Sequence, residues 1–310
     1  MKVSWPDERK FAFTVFDDTD WATIRRVKPV YDMLLELDMK TTKSVWIHKG
    51  QGAPKHDGMT CESREYLDWI LGLKKQGFEI GLHNAAPSTS SRDMTALALD
   101  RFRELFGDRK IIHTNHVGCL ENIYWGDKRI SGWRRIIYNL MTRGKRRNIS
   151  QGQVVGDPLF WGDLCQERVR YVRSFVFSDL NSLALCPEIP YHDPSKSFVN
   201  FWFVSSNAGS LKRFLENFTI RKIDRLVDDG GLCIVYTHFG AGFAKKGELD
   251  IEFRKRMEYI ATRNGWFVPV SDILDHLRSG EAPSNRIIPR KRLLKLETRW
   301  LRNQALSHFS

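Results

Sequence analysis

The sequence predicts an α/β fold of seven or eight βα units in series, either a closed parallel barrel related to the (β/α)8 type or a doubly wound open sheet with the same local grammar. Two observations lead there. Short β-prone runs alternate with helix-length amphipathic runs almost to the end of the chain. In addition, ionisable residues recur at the C-terminal ends of the proposed strands, the edge where parallel α/β folds build their sites.

The elements follow in order. FAFTVFDD is the first strand, and WATIRRVKPVYDMLLELD a helix with Ile24, Val27, Tyr31, Leu34 and Leu35 on one face and Pro29 as an irregularity. TTKSVWIH, ESREYLDWILGLKKQ and FEIGLH read as strand, helix and strand, then DMTALALDRFRELFG as a helix closing on Gly107 and KIIHTNH as the fourth strand. WRRIIYNLMTRG is helical; YVRSFVFSD and SFVNFWFVSS are strands on either side of the Pro-rich loop CPEIPYHDP. LKRFLENFTIRKIDRLVDD is one long helix, LCIVYTHF a strand and IEFRKRMEYIATRNG a helix, and WFVPVSDILDHLRSG gives a short strand and a last helix. Residues 1–280 form one barrel domain and 281–310 a basic amphipathic extension.

Composition narrows the classes. The five cysteines never form a CxxC pair, so they read as reduced thiols and not as a disulfide framework or zinc knuckle. No run approaches the roughly 20 apolar residues of a membrane span, and MKVSWPDERK has no apolar signal-peptide core, which gives a cytoplasmic expectation. The net charge of +12 is concentrated in two places: residues 128–147 hold eight Lys/Arg and no acid, and residues 286–302 seven against Glu297. The remainder is close to neutral, which excludes a general nucleic-acid groove and favours local contact with an anionic surface or partner.

The strand ends carry Asp17 and Asp18, then His48, His83, His116, Ser178 with Asp179, Ser205 with Asn207, and His238. Carboxylates and imidazoles meeting at one barrel face are the donor set of a divalent ion such as Zn²⁺. Such an ion offsets the repulsion between adjacent Asp17 and Asp18; Asp20 is most simply the cap of the following helix.

These residues resemble the polysaccharide deacetylases, the NodB-homology carbohydrate esterases. FTVFDDTD resembles their first motif, a strand ending in (T/S)FDD; GFEIGLHNAAPS their second, a Gly-x-Glu-Ile-Gly strand leading into His-x-x-x-His; and IVYTHF their last, a strand ending on a histidine. The resemblance runs over roughly residues 10–275 and implies a distorted (β/α)7 barrel and metal-dependent removal of an acetyl group from a sugar. It implies Asp17 as general base, Asp18 and His83 as metal ligands and His238 as catalytic acid. Pro87 stands where the second histidine is expected, and HTNHVGCLENIYWG replaces the Arg-Pro-Pro segment. His116 is the expected replacement ligand, with His113 the second choice.

Trp125, Asn115 and His48 are the expected substrate-binding residues, with Trp46 and Trp161 as further stacking surfaces. The substrate expected is an acetylated saccharide, lipid- or nucleotide-linked, in cell-surface polysaccharide biosynthesis. The alternatives are a sugar-binding protein on a degenerate barrel, favoured by Pro87, and a glycosidase, which adjacent carboxylates serve poorly because acid and nucleophile need about 5 Å or more between them. In the C-terminal segment, Leu293, Leu296, Trp300 and Leu301 make an apolar stripe under a cationic face, suited to anionic lipid or to packing on the barrel; peripheral contact with the inner membrane is expected.

Overall fold

The computed structural model describes residues 3–309. Strand β1 (Phe11–Asp17) leads to α1 (Ile24–Glu36), β2 (Thr42–Val45), α2 (Arg64–Lys75), β3 (Glu79–Leu82), α3 (Arg92–Phe106) and β4 (Ile111–His113). After α4 (Gly132–Met141) and α5 (Gly162–Arg168) come β5 (Val169–Phe177), α6 (Ser182–Leu185), β6 (Phe201–Ala208), α7 (Leu211–Asn217), α8 (Ile220–Asp228) and β7 (Leu232–Thr237). The hairpin of β8 (Ala244–Lys245) and β9 (Glu248–Leu249), then α9 (Ile251–Ala261), β10 (Gly265–Trp266), α10 (Val270–Arg278) and α11 (Arg290–Phe309) complete the chain.

Strands β1 to β7 pair in sequence order, all parallel, and β7 pairs with β1 over residues 232–237, so the sheet closes. This excludes the open sheet and gives a distorted (β/α)7 barrel. The distortion is local. Short β10 lies against Phe11 and Ala12 while β2 meets β1 only at Phe16 and Asp17, so β10 wedges in where β1 and β2 splay. Every residue of β1 is buried, because one face fills the barrel and the other packs beneath helices. Helices α7 and α8 divide the predicted single helix, since Phe218 and Thr219 leave helical geometry between them.

The two basic segments become one surface. Helix α11 packs on α4 and β5, burying Leu293, Leu296, Trp300 and Leu301. Buried Glu297 accepts a 2.9 Å hydrogen bond from Ser131 Oγ. The apolar stripe expected to meet lipid is therefore spent on the barrel, whose apolar surface the helix would otherwise leave in water. Of the large apolar residues left exposed, four cluster on α4: Trp133, Ile136, Ile137 and Leu140. Among the described residues no helix is long and apolar enough to cross a membrane.

Candidate metal centre and active site

A cavity of about 390 Å³ opens at the C-terminal edge of the barrel, lined by Asp18, Asp20, His56, His83, His116, Arg173 and His238 among others. Strand pleating decides which carboxylate reaches it. Successive residues of a strand point to opposite sides, so adjacent Asp17 and Asp18 part company. Asp17 turns into the protein, where Lys43 Nζ pairs with it at 2.9 Å and Tyr31 Oη and the Phe239 N–H donate to it at 3.0 and 2.8 Å. Burial pushes its carboxyl up, and Lys43 only partly offsets this. The expected proton acceptor at Asp17 is corrected on this ground: it does not line the cavity.

Asp18 faces the cavity in a two-pronged ion pair with Arg173, one arm at 2.9 Å. Burial raises its carboxyl, but Arg173 together with His83 and His238 outweighs burial and holds the group below the usual range. Asp20 is not a helix cap, because α1 begins beyond Thr23. Its oxygens instead meet His83 Nε2 at 3.0 Å and His116 Nδ1 at 3.3 Å, and the two ring nitrogens are 3.0 Å apart. Burial raises Asp20 as well, yet the bonds from His116 and His83 prevail and its carboxyl is held far down. The carboxylate grouped with the two histidines is thus Asp20, in the place the sequence reading assigned to Asp18. Asp18 and His238 form a second group around Asp20, with all donor atoms within 4.8 Å of one another.

This set fits a divalent ion. Tetrahedral bonds of about 2.1 Å hold ligands about 3.4 Å apart, close to the separations of the trio. The hydrogen-bond chain also leaves the right lone pair available. Thr114 Oγ1 spends its one hydrogen on Asp18 at 3.4 Å, so it accepts from His83 Nδ1 at 2.8 Å, and Nε2, which faces Asp20, is the nitrogen whose lone pair a bound ion would take. Burial lowers the His116 imidazole, favouring the neutral ligand form.

The loops that aim these ligands are tied together. Asn122 accepts from the His116 N–H at 3.2 Å and donates to its carbonyl at 2.7 Å. Asn84, next to His83, donates to Asn122 at 2.9 Å and to buried Glu121 at 3.0 Å. Asn115 lines the cavity, but its amide clips Ile123 at both backbone groups and so shapes the loop. Gly240 lets the loop after β7 lie on the Asp20–Trp21 backbone, since a Cβ there would stand 2.5 Å from Trp21. His238 then reaches Asp20 at 3.6 Å through Nε2, while Nδ1 donates to the Gly209 carbonyl at 2.9 Å.

Other expected residues fall elsewhere. His113 is buried edge-on to Trp161, its imidazole lowered to about 3 by burial, and is core. Trp161 is core as well, bonded to the Glu121 carbonyl, and Trp46 backs the rings of His83 and His116. His48 pairs with Glu62 at 3.1 Å and does not line the cavity, which corrects its substrate-binding assignment. Trp125 does line it. Sequence reading missed Arg173, Arg129, Tyr236 and Trp21 and gave Asp20 only as a cap, not as a candidate ligand. Only Arg173 left a signal, a charge inside the otherwise apolar run YVRSFVF.

No family model and no curated protein matches the sequence. Among solved structures the chain is similar to a Mycobacterium smegmatis protein assigned as a polysaccharide deacetylase, at 14% identity over 93% of this chain and 96% of that one, with a TM-score of 0.48. It is also similar to a variant of the peptidoglycan deacetylase PdaC from Bacillus subtilis, at 12% identity over 90% and 96% of the two chains, TM-score 0.41. The Xyl-CE4 domain of a multidomain xylanase from the hindgut metagenome of Trinervitermes trinervoides is similar at 12% over 89% and 93%, TM-score 0.41. At such distances the functional reading rests on this chain's own side chains.

Proposed function

We propose that this chain is a metal-dependent deacetylase that removes an N- or O-acetyl group from a saccharide, lipid- or nucleotide-linked, in cell-surface polysaccharide biosynthesis. One observation carries the reading: Asp20, His83 and His116 present one carboxylate and two imidazoles within bonding reach of a single ion, beside Asp18–Arg173 and His238. Zn²⁺ suits that donor set best. Bound there, the ion supplies Lewis acidity to the acetyl carbonyl and acidifies water.

The protein's own groups complete the chemistry. Asp18, kept ionised by Arg173, has lone pairs left to accept the proton of the attacking water. His238 carries a hydrogen on Nδ1, because the Gly209 carbonyl can only accept, and in its charged form gives the Nε2 proton to the departing amine or alkoxide. The ligand set is filled without position 87, so the degenerate-barrel alternative loses its main support. Metal analysis of the purified protein should find about one equivalent of a divalent ion, and acetylated saccharides should release acetate. Folded protein that binds no ion and releases no acetate would overturn the reading.

Peripheral contact with an anionic inner-membrane surface belongs to the same proposal, supported now by α4. Trp133, Ile136, Ile137 and Leu140 recur at one-turn spacing and are exposed, with Arg143, Lys145 and Arg147 exposed just beyond the helix. In flotation with vesicles containing anionic lipid at low salt, the protein should rise with the vesicles and an Ile136→Glu/Leu140→Glu variant should not. Wild-type protein that stays behind removes this part of the proposal.

A further inference from the structure

The mechanism uses Arg173 but leaves a second arginine in the same cavity unexplained. Arg129 is only 8% exposed and lies at the end of the turn Gly126–Arg129. Its guanidinium is 3.8 Å from the centre of the Trp125 ring and 5.1 Å from that of Trp300. Among the described residues it has neither an ion pair nor a hydrogen-bond acceptor. Half-buried Arg146 lines the same cavity, also without a carboxylate partner among the described residues. The cavity's two carboxylates are committed, Asp18 to Arg173 and Asp20 to the two imidazoles.

Burying a charge without a counter-charge is costly, and ring contacts recover only part of the cost. Burial in fact pulls Arg129 down to about 10. Ring contacts use the π-cloud attraction of the guanidinium and consume none of its N–H groups, the fork that matches an oxyanion. Trp300 comes from α11, so the C-terminal helix contributes a wall of this subsite as well as bracing the barrel.

We propose that Arg129, assisted by Arg146 and flanked by Trp125 and Trp300, is an anion subsite that receives a phosphate or carboxylate group carried by the saccharide. This rests on the reading of the cavity as a saccharide site and adds that an anionic group on the substrate is received by Arg129. Since Asp18 is paired with Arg173 and Asp20 would face a bound ion, the subsite selects charged over neutral sugars electrostatically.

The test is calorimetric binding of glucose 1-phosphate, glucuronate and glucose to the intact, metal-loaded protein. Both anions, or the one whose chemistry fits, should bind at least tenfold tighter than glucose, the size of a charge-assisted contact. A preference for glucose 1-phosphate identifies a phosphate-linked sugar, and one for glucuronate a uronate. Arg129→Gln should lose that advantage while glucose binding and bound metal stay unchanged, and Arg129→Lys should restore part of it. Arg146→Gln, at a half-buried position, should weaken anion binding severalfold and serves if the Arg129 variants do not fold. Anions binding no tighter than glucose, or folded variants that keep the full advantage, overturn the subsite. Metal content and acetate release are read separately, so failure of the deacetylase reading is told apart from failure of this one.

Discussion

Two adjacent carboxylates at the end of β1 have opposite fates. Asp17 and Asp18 are both buried and both paired with one cation, Lys43 and Arg173 respectively. Yet burial prevails at Asp17 and raises its carboxyl, whereas at Asp18 the guanidinium, joined by His83 and His238, prevails and lowers it. Lysine offers Asp17 a single point of contact; arginine engages both oxygens of Asp18. The first pair is sealed into the wall as structure, and the second stands at the cavity beside the metal ligands as chemistry. Two aspartates therefore teach that access and partner geometry, not the carboxylate's identity, separate a brace from a working group.

The largest effect should come from neither of them. Asp20→Ala should lose the bound ion and slow acetate release about a thousandfold or more, the kinetic counterpart of several kcal/mol. Elemental analysis and initial rates check this, with circular dichroism to confirm folding. If Asp20→Ala keeps its metal while Asp18→Ala loses it, the ligand assignment reverts to the one read from sequence.

The comparison itself is broken open by a matched pair of variants. Asp18→Asn should retain metal and lose about 10²–10⁴ in kcat. Asp17→Asn should leave kcat per folded molecule nearly unchanged but destabilise the protein by about 3–5 kcal/mol, because Lys43 is left buried and uncompensated. Adding Lys43→Met should recover most of that loss, as measured by denaturant unfolding. A fall in kcat for Asp17→Asn at unaltered stability would return the base to Asp17.

A third carboxylate sharpens the contrast because, among the described residues, no cation is paired with it. Burial pushes Glu121 up to about 7 while Asn84 binds it. A carboxyl raised above its unfolded value holds its proton longer in the folded state, so this group costs stability as pH rises from about 4.5 to about 7. The cost reaches about 3 kcal/mol above that window. Glu121→Gln should flatten the pH dependence and stabilise the protein at pH 8 relative to pH 5, seen as a converging pair of unfolding curves.

The smallest effect concerns the histidines. His113→Phe should keep metal and kcat and shift stability by under about 1.5 kcal/mol, since the ring is buried against Trp161 and belongs to neither candidate ligand group. His116→Ala should lose both metal and activity, and equal effects of the two would refute the separation drawn between them.

Much of this was legible in one dimension. Alternating β-prone and amphipathic runs, all-apolar β1 and the polar strand ends determine the βα series and the edge that holds the site, because periodicity and burial are local properties of a chain. His83, His116, His238 and Trp125 were visible for the same reason, as polar or aromatic residues just where strands or their loops end. The tertiary structure alone decided closure into a barrel, the choice of Asp20 with the histidines, the burial of His113, and the docking of the basic tail on the barrel. Those outcomes hinge on partners far apart in sequence: Arg173 is 155 residues from Asp18, and Glu297 is 166 from Ser131. A strand's pleat says that neighbouring carboxylates diverge, but only the closed barrel says which of its two sides is the cavity.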